Sequence, residues 1–212
     1  MVEKTITAIV RQKKNPERVS IFLDGEYEFG LSTIVAAWLQ NGQKLSEEKI
    51  NKLRQEDGVE VAYQNALKLL NYRARTIKEI SNKLAKKGYE SSQIDRVIDR
   101  LKVAGLVEDT RYAEMWVENR NEFHPRSQHL IQMEMRHKGI EEDVIRTALE
   151  NSADDLELAT RAARKQIRKY EGLEWPDFRK KLSAFLMRRG FSYGTIAPVV
   201  QSMWESVQED QR

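Results

Sequence analysis

The sequence predicts a mainly α-helical protein in which tandem three-helix repeats form an elongated, curved array behind a small N-terminal three-stranded antiparallel β-meander with helices. Alternation of apolar and polar residues, which is typical of strands, is confined to the first part of the chain. From residue 57 onward a long-period repeat replaces it, most visibly in Gly88, Gly139 and Gly190, which lie 51 residues apart. Repeats of this length are typical of stacked modules that bury their apolar faces on their neighbours.

The N-terminal segment, residues 1–56, contains three runs of alternating apolar residues. Asn15-Pro16 separates the first two runs, and Asp24-Gly25 predicts a tight hairpin turn between the second and the third. The alternating positions are Ile6, Ala8 and Val10, then Val19, Ile21 and Leu23, then Tyr27, Phe29 and Leu31. This pattern predicts a meander with one apolar face.

A helix is expected to cover the apolar face of the meander, because a three-stranded sheet has no second layer of its own. We expect this helix to begin near Ser32-Thr33 and to end at Gly42. A further helix is predicted over about residues 46–55. The apolar positions of the first helix are Val35, Trp38 and Leu39.

Three repeats are predicted, over residues 57–107, 108–152 and 153–212, each with three helices. The second helix of repeat one is predicted to begin at Thr76, because its hydroxyl can accept a hydrogen bond from a first-turn N–H. Ser127 is the equivalent cap in repeat two, and Asp177 is the predicted cap in repeat three. Apolar residues recur in register with the glycines: Ile80, Ile131 and Leu182; Leu84, Met135 and Leu186; Tyr89, Ile140 and Phe191; Ile94, Ile145 and Ile196.

A basic pair precedes each repeat glycine: Lys86-Lys87, His137-Lys138 and Arg188-Arg189. Cations at a helix C-terminus interact favourably with the negative end of the helix dipole, and glycine adopts the left-handed conformation that ends a helix. The pairs therefore predict helix ends. A ligand contact by the same residues is compatible with that role.

Composition and charge limit the possible functions of the 212-residue chain. The absence of Cys excludes disulfides and thiolate chemistry, and no apolar run is long enough to cross a bilayer, so we expect a cytoplasmic protein. The net charge of +3 divides into +1 for the N-terminal segment and +4, −4 and +2 for the three repeats. This alternation does not resemble a continuous track for phosphates.

Patterns for catalysis or cofactor binding are weak. The sequence contains no P-loop and no G-x-G-x-x-G, and its three histidines, His124, His129 and His137, lack the spacing of a metal site. Adjacent carboxylates fall where helices are predicted to begin, and acidic side chains are favourable there. We expect no cofactor, no bound metal and no enzymatic activity. The carboxylate groups are Glu47-Glu48, Glu141-Glu142-Asp143 and Asp154-Asp155.

A long, ordered segment over residues 66–116 resembles the RecX family. Shorter stretches at residues 18–27, 125–140 and 185–191 extend the resemblance over nearly the whole chain. Thr76 and Met135 are mild departures, where the family usually has Ser and Leu. The residues that carry the resemblance in the main segment include Arg73-Ala74-Arg75-Thr76, Glu79, Lys83-Leu84, Lys87-Gly88-Tyr89, Gly105-Leu106, Asp109, Tyr112-Ala113 and Trp116.

The resemblance implies a regulatory protein that binds the RecA nucleoprotein filament on single-stranded DNA and modulates it, mainly by inhibition. The implied targets are ATP hydrolysis, strand exchange and the co-protease activity of RecA, and hence homologous recombination, DNA repair and the SOS response. We expect a monomer. A direct DNA-binding helical module is the alternative, consistent with short helix–turn–helix connections and a pI near 9.0.

Basic residues of the repeats are the candidates for partner contacts. As a hypothesis, they meet acidic groups or exposed phosphates of the filament. A solvated charged surface is the competing interpretation, because single exposed charges commonly contribute little. The candidates are Arg73, Arg75, Lys83, Lys86, Lys87, Arg126, Lys138, Lys180, Lys181, Arg188 and Arg189. Of these, Arg73 and Arg75 flank a predicted helix boundary. Lys83 and Lys86 are predicted to lie off the apolar stripe of their helix, and Lys180 and Lys181 to begin the equivalent helix of repeat three.

Overall fold

The computed structural model describes residues 3–150 and 152–210. The chain divides into two compact units, Met1–Val107 and Glu108–Arg212. The first unit contains an N-terminal sheet and one three-helix module, and the second contains two three-helix modules. Each of these four parts has its own cluster of buried apolar side chains. The prediction of tandem helical modules behind a small antiparallel sheet is confirmed.

The N-terminal sheet has four antiparallel strands in the order β3-β2-β1-β4. The predicted meander forms its first three strands, and the turn between β2 and β3 places Asp24 and Gly25 at positive φ. The prediction of three strands missed β4, because a strand of three residues is too short for alternation to be visible. The strands are β1 (Glu3–Arg11), β2 (Arg18–Leu23), β3 (Glu26–Ser32) and β4 (Lys44–Ser46).

The helix after the meander is much shorter than predicted. Helix α1 spans only Thr33–Ala36, and the chain then turns so that the N–H of Gly42 donates to the carbonyl of Ile6 at 2.7 Å. This bond leads the chain into β4, so pairing with the sheet replaces a longer helix. Val35 and Leu39 still pack on the sheet core, but Trp38 is 87% exposed, and the prediction that it packs there is wrong.

Helix α2 (Glu47–Tyr72) runs without a break through the region where the sequence predicted two helices. Gly58 lies inside it, and a Cβ there would collide with the side chain of Gln93. The glycine leaves room for the flexible end of this side chain and does not end α2. The N-terminal half of α2 buries Ile50 and Leu53 in the sheet core, whereas its C-terminal half belongs to the core of the first module.

A buried ion pair joins the sheet to α2. The carboxylate of Asp57 accepts hydrogen bonds from the backbone N–H of Ser32 at 2.6 Å and from Nη2 of Arg18 at 2.7 Å. The same Arg18 nitrogen donates to the carbonyl of Gly30 at 2.9 Å. Asp57 is 8% exposed, so these bonds satisfy a charge that would otherwise be costly to bury.

The three modules share one plan. Repeat one uses the C-terminal half of α2, followed by α3 (Ile77–Ala85) and α4 (Ser91–Val103). Repeat two consists of α5 (Asp109–Phe123), α6 (Gln128–His137) and α7 (Glu142–Glu150). Repeat three consists of α8 (Asp155–Gln166), a 3₁₀ turn (Ile167–Tyr170), α9 (Trp175–Arg188) and α10 (Tyr193–Asp210). No helix in the described ranges is long and apolar enough to span a membrane.

Two of the three predicted caps are confirmed. The hydroxyls of Thr76 and Ser127 are buried and accept the N–H groups of Glu79 and Leu130 at 3.2 and 3.1 Å. The prediction for Asp177 is wrong, because α9 begins at Trp175. An aromatic cluster explains the earlier start: Phe178 is fully buried, and its ring lies 5.1 Å from that of Trp204 and 6.5 Å from that of Trp175.

The repeat glycines end the second helix of each module, as predicted. Gly88, Gly139 and Gly190 have φ values of 88°, 81° and 86°. In each case the N–H of the next residue donates to the carbonyl five positions earlier, at 3.4, 3.2 and 3.4 Å. This hydrogen bond, together with the left-handed glycine, is the Schellman arrangement. The basic pairs therefore lie at helix C-termini.

We expect Asp57→Ala to destabilise the protein by about 2 kcal/mol, because it leaves the partly buried Arg18 guanidinium and the Ser32 N–H without their acceptor. Urea unfolding followed by circular dichroism measures the change. Glu28→Ala is the control, since its ion pairs with Lys4 and Arg54 lie nearer the surface. Equal losses in the two variants would contradict the role assigned to Asp57.

Replacing the repeat glycines by alanine should give unequal losses of stability. Gly88→Ala introduces a Cβ into open space, so only its positive φ opposes it, at about 1 kcal/mol. Gly190→Ala adds a collision, because its Cβ would lie 2.6 Å from Oγ of Ser127 and 2.8 Å from Cβ of Leu130. Thermal unfolding of both variants tests the order, and a smaller loss for Gly190→Ala would refute it.

Candidate partner-binding surfaces

The predicted contact cations differ in what their side chains do. Within residues 3–150 and 152–210, no hydrogen bond or ion pair engages the side chains of five of them, and all five are exposed. The other six are hydrogen-bonded, ion-paired or stacked on rings inside their own unit. The five exposed cations are Lys83, Lys86, Lys180, Lys181 and Arg188.

In repeat one the exposed cations lie on α3 and at the residue that caps its C-terminus. Ile80 and Leu84 are fully buried, so Lys83 and Lys86 lie off the apolar stripe, as the sequence predicted. Lys87 is also exposed, but its Nζ donates to Oδ1 of Asn65 at 2.6 Å. This bond restrains Lys87 near the C-terminal half of α2.

Arg73 and Arg75 connect the end of α2 to the start of α3. The guanidinium of Arg73 forms an ion pair with Glu79, with an N–O distance of 3.0 Å. Nε of Arg75 donates to the carbonyl of Leu69 at 3.1 Å, which satisfies one of the last acceptors of α2. Both residues therefore hold the helix boundary at which the sequence placed them.

Repeat two uses its predicted cations internally. Arg126 forms an ion pair with Glu134, and the same carboxylate accepts Nε of Arg120 at 2.8 Å and Nε1 of Trp116 at 2.9 Å. Nζ of Lys138 lies 4.5 Å from the ring centre of Trp116, within the range of a cation–π contact. Arg126 and Lys138 are thus engaged by side chains of their own repeat, and their charges offset its exposed acidic residues less.

In repeat three the cations of α9 have two different environments. Lys180 and Lys181 lie in the second turn of the helix, not at its beginning as predicted, and both are exposed. Arg188 is exposed as well, whereas Nη1 of Arg189 donates to the carbonyl of Pro125 at 2.8 Å. Burial, with the positive charge of Arg126 nearby, lowers the pKa of the Arg189 guanidinium.

Arg189 links repeats two and three through its backbone as well. Its carbonyl accepts the N–H of Ser127 at 3.0 Å, and its guanidinium lies 4.6 Å from the ring centre of Phe185. These contacts fix the start of α6 against the end of α9. Sequence reasoning proposed a partner contact for Arg189, and the structure gives it an intramolecular role that no local pattern indicates.

Two surface grooves in the second unit were not anticipated from the sequence. One, with a volume of about 810 Å³, lies between α5 and α7 and is lined by Glu114, Glu118 and Glu122. The other, with a volume of about 570 Å³, lies between α9 and α10 and is lined by Lys180 and Arg179 among apolar residues. The sequence did contain a signal for the first groove, because the four-residue spacing of the three glutamates places them on one helix face.

The carboxylate groups have the structural positions that the sequence predicted. Glu47 and Glu48 lie in the first turn of α2, and Glu142 and Asp143 in the first turn of α7. Asp154 caps α8 by accepting the N–H of Glu157 at 2.8 Å. Among the described residues, no group of three or more His, Asp or Glu side chains is arranged to hold a metal ion.

Comparison with known proteins gives one family over nearly the whole chain. Family models for the RecX N-terminal domain and for the first, second and third RecX three-helix domains match residues 4–46, 62–101, 109–149 and 153–200. Regulatory protein RecX of Bacillus pumilus is 33% identical, over 97% of this chain and 80% of its own length. The protein of the same name from Bacillus subtilis is 30% identical, over 97% and 79%.

Solved structures agree with the sequence relatives. A crystal structure of regulatory protein RecX has a TM-score of 0.71 at 27% identity and covers 97% of this chain and 99% of its own. The crystal structure of RecX from Lactobacillus salivarius has a TM-score of 0.59 at 27% identity, over 70% and 97%. With the four domain models matched in order along the chain, this protein belongs to the family of RecX regulatory proteins.

Proposed function

We propose that this protein binds RecA filaments assembled on single-stranded DNA and restrains their ATP hydrolysis, strand exchange and co-protease activity. It would thereby act as a cytoplasmic, monomeric regulator of recombination, DNA repair and the SOS response. The observation that carries the proposal is the ordered match of all four RecX domains, together with about 30% identity to regulatory proteins of that name.

The exposed cations of repeats one and three supply the proposed contacts. Lys83 and Lys86 on α3, and Lys180, Lys181 and Arg188 on α9, have charged groups that no side chain of the described chain neutralises. Such groups attract acidic side chains and phosphates over long distances and increase the rate of encounter. Other candidates, such as Arg73 and Arg189, contribute indirectly by holding the helices that carry the exposed cations.

The proposed mechanism is a shift in the equilibrium between protomer arrangements. A ligand that contacts more than one protomer of a filament changes the population of its conformations by its difference in affinity for them. In this proposal, the arrangement of neighbouring protomers sets the rates of ATP hydrolysis and strand exchange. A protein bound along the filament would therefore inhibit both without acting as an enzyme.

Direct DNA binding is the second candidate function. The groove between α9 and α10 supports it, because Arg179 and Lys180 lie beside Trp175 and Tyr193, and aromatic rings can stack on bases. The acidic repeat two argues against a long DNA track. Salt dependence separates the two functions, since a protein that contacts six or more phosphates loses about a thousandfold in affinity between 50 and 200 mM salt.

We expect the protein to lower the ATP turnover of RecA on single-stranded DNA at concentrations at which it does not bind the naked DNA. Steady-state ATPase assays, with anisotropy of labelled DNA measured in parallel, test this expectation. If RecA hydrolyses ATP at an undiminished rate in a large excess of this protein, and the protein binds naked DNA tightly and in a salt-sensitive way, direct DNA binding is favoured instead.

Reversing four of the exposed cations should weaken filament binding at least tenfold. The variant Lys83→Glu/Lys86→Glu/Lys180→Glu/Lys181→Glu replaces attraction by repulsion at each proposed contact. The matched control, Lys13→Glu/Lys14→Glu/Lys49→Glu/Lys52→Glu, makes the same change in net charge at exposed lysines of the N-terminal segment. Anisotropy of the labelled variants measures binding, and circular dichroism verifies folding. Equal losses in both variants would show that only net charge matters.

A further inference from the structure

The exposed face of α5 in repeat two carries a row of acidic residues. Glu114, Glu118 and Glu122 are four residues apart, and all three are exposed. None of them has an ion-pair partner in the part of the chain that the structure describes. Like charges at this spacing destabilise a helix, so the row is not explained by the stability of α5 itself.

The same face of the first helix is not acidic in the other repeats. The buried pairs Ala62-Tyr63, Tyr112-Ala113 and Leu158-Ala159 set the helices in register. In this register the position of Glu118 is taken by Lys68 in repeat one and by Arg164 in repeat three, and both are exposed. The module therefore accepts either charge at this place, and the acidic row is a specific property of the repeat-two surface.

Exposed apolar side chains accompany the acidic row. Met115 is 52% and Phe123 61% exposed, and both line the groove of about 810 Å³ between α5 and α7. Val117 and Ala148 line it as well. Exposed apolar groups concentrated in a groove with a charged rim are typical of interaction sites.

The C-terminal end of the groove is held in place by Ser152, at the end of repeat two, and by Lys165 of repeat three. Nζ of Lys165 donates to the carbonyl of Glu122, and Nδ2 of Asn121 donates to Oγ of Ser152 at 3.1 Å. A groove whose wall is fixed before binding loses less conformational entropy when a ligand enters. The site is thus preorganised by one contact from repeat three and by one from the residue that follows α7 closely, Ser152.

We propose that the α5–α7 groove docks a basic, amphipathic protein segment on the surface of a RecA protomer. Cationic side chains of the segment pair with the glutamates, while its apolar side chains contact Met115 and Phe123. The charge of the rim selects protein over nucleic acid, because phosphates are repelled by the same carboxylates. The inference rests on the proposed function, and it assigns to repeat two a contact opposite in sign to those of repeats one and three.

The test compares two charge variants with the same change in charge and spacing. Glu114→Gln/Glu118→Gln removes two carboxylates of the groove, and Asp95→Asn/Asp99→Asn removes two exposed carboxylates of α4, also four residues apart. Binding of each labelled, full-length variant to RecA filaments on single-stranded DNA is followed by fluorescence anisotropy. We expect the groove variant to bind about tenfold more weakly and the α4 variant to bind like the wild type.

A third variant separates docking from long-range attraction. Met115→Gln/Phe123→Gln leaves the charge unchanged and replaces two exposed side chains, so folding should be preserved. We expect this variant to bind several times more weakly than the wild type at every salt concentration, because it removes apolar contact.

The outcomes distinguish this inference from the proposed function. If the wild type does not bind the filament, the proposed function fails and the inference fails with it. If the wild type binds and both groove variants bind equally well, only the inference is wrong. If the glutamine replacements at Glu114 and Glu118 weaken binding but those at Met115 and Phe123 do not, the groove attracts RecA without docking a segment, and the inference is again overturned.

Discussion

The structure depends on one recurring constraint, the termination of the second helix of each module by a left-handed glycine. At Gly88, Gly139 and Gly190 the chain turns back, and the apolar residue that follows enters or borders the core of its module. An L-residue adopts this conformation only with strain, so the turn depends on glycine. The position of the third helix, and with it the enclosure of each core, follows from that turn.

The constraint fixes the interior of the modules but leaves their surfaces free to differ. The buried positions are closely matched, as Ile80, Ile131 and Leu182 illustrate. The outer faces carry exposed lysines on α3 and α9 and a row of glutamates on α5. A tandem array of this kind can therefore present contacts of opposite sign to one partner, because surface charge is nearly independent of the packing that defines the module.

Part of the candidate surface could be predicted from sequence. Helical spacing alone placed Lys83 and Lys86 off the apolar stripe, and the glycine signal placed the basic pairs at helix ends. The roles of Arg126 and Arg189 could not be predicted, because their partners are brought close only by the packing of separate helices. Whether a cation is available to a partner depends on such distant neighbours.

The sequence by itself determined the features that depend on a few adjacent residues: the β-hairpin at Asp24-Gly25, the caps at Thr76 and Ser127, and the helix ends at the repeat glycines. Tertiary structure alone decided that α2 continues through Gly58, that Trp38 is exposed, and that α9 starts early to build an aromatic cluster around Phe178. The physical reason is that caps and turns are satisfied by backbone groups within one helical turn. Burial and close packing, in contrast, are set by residues far apart in the chain.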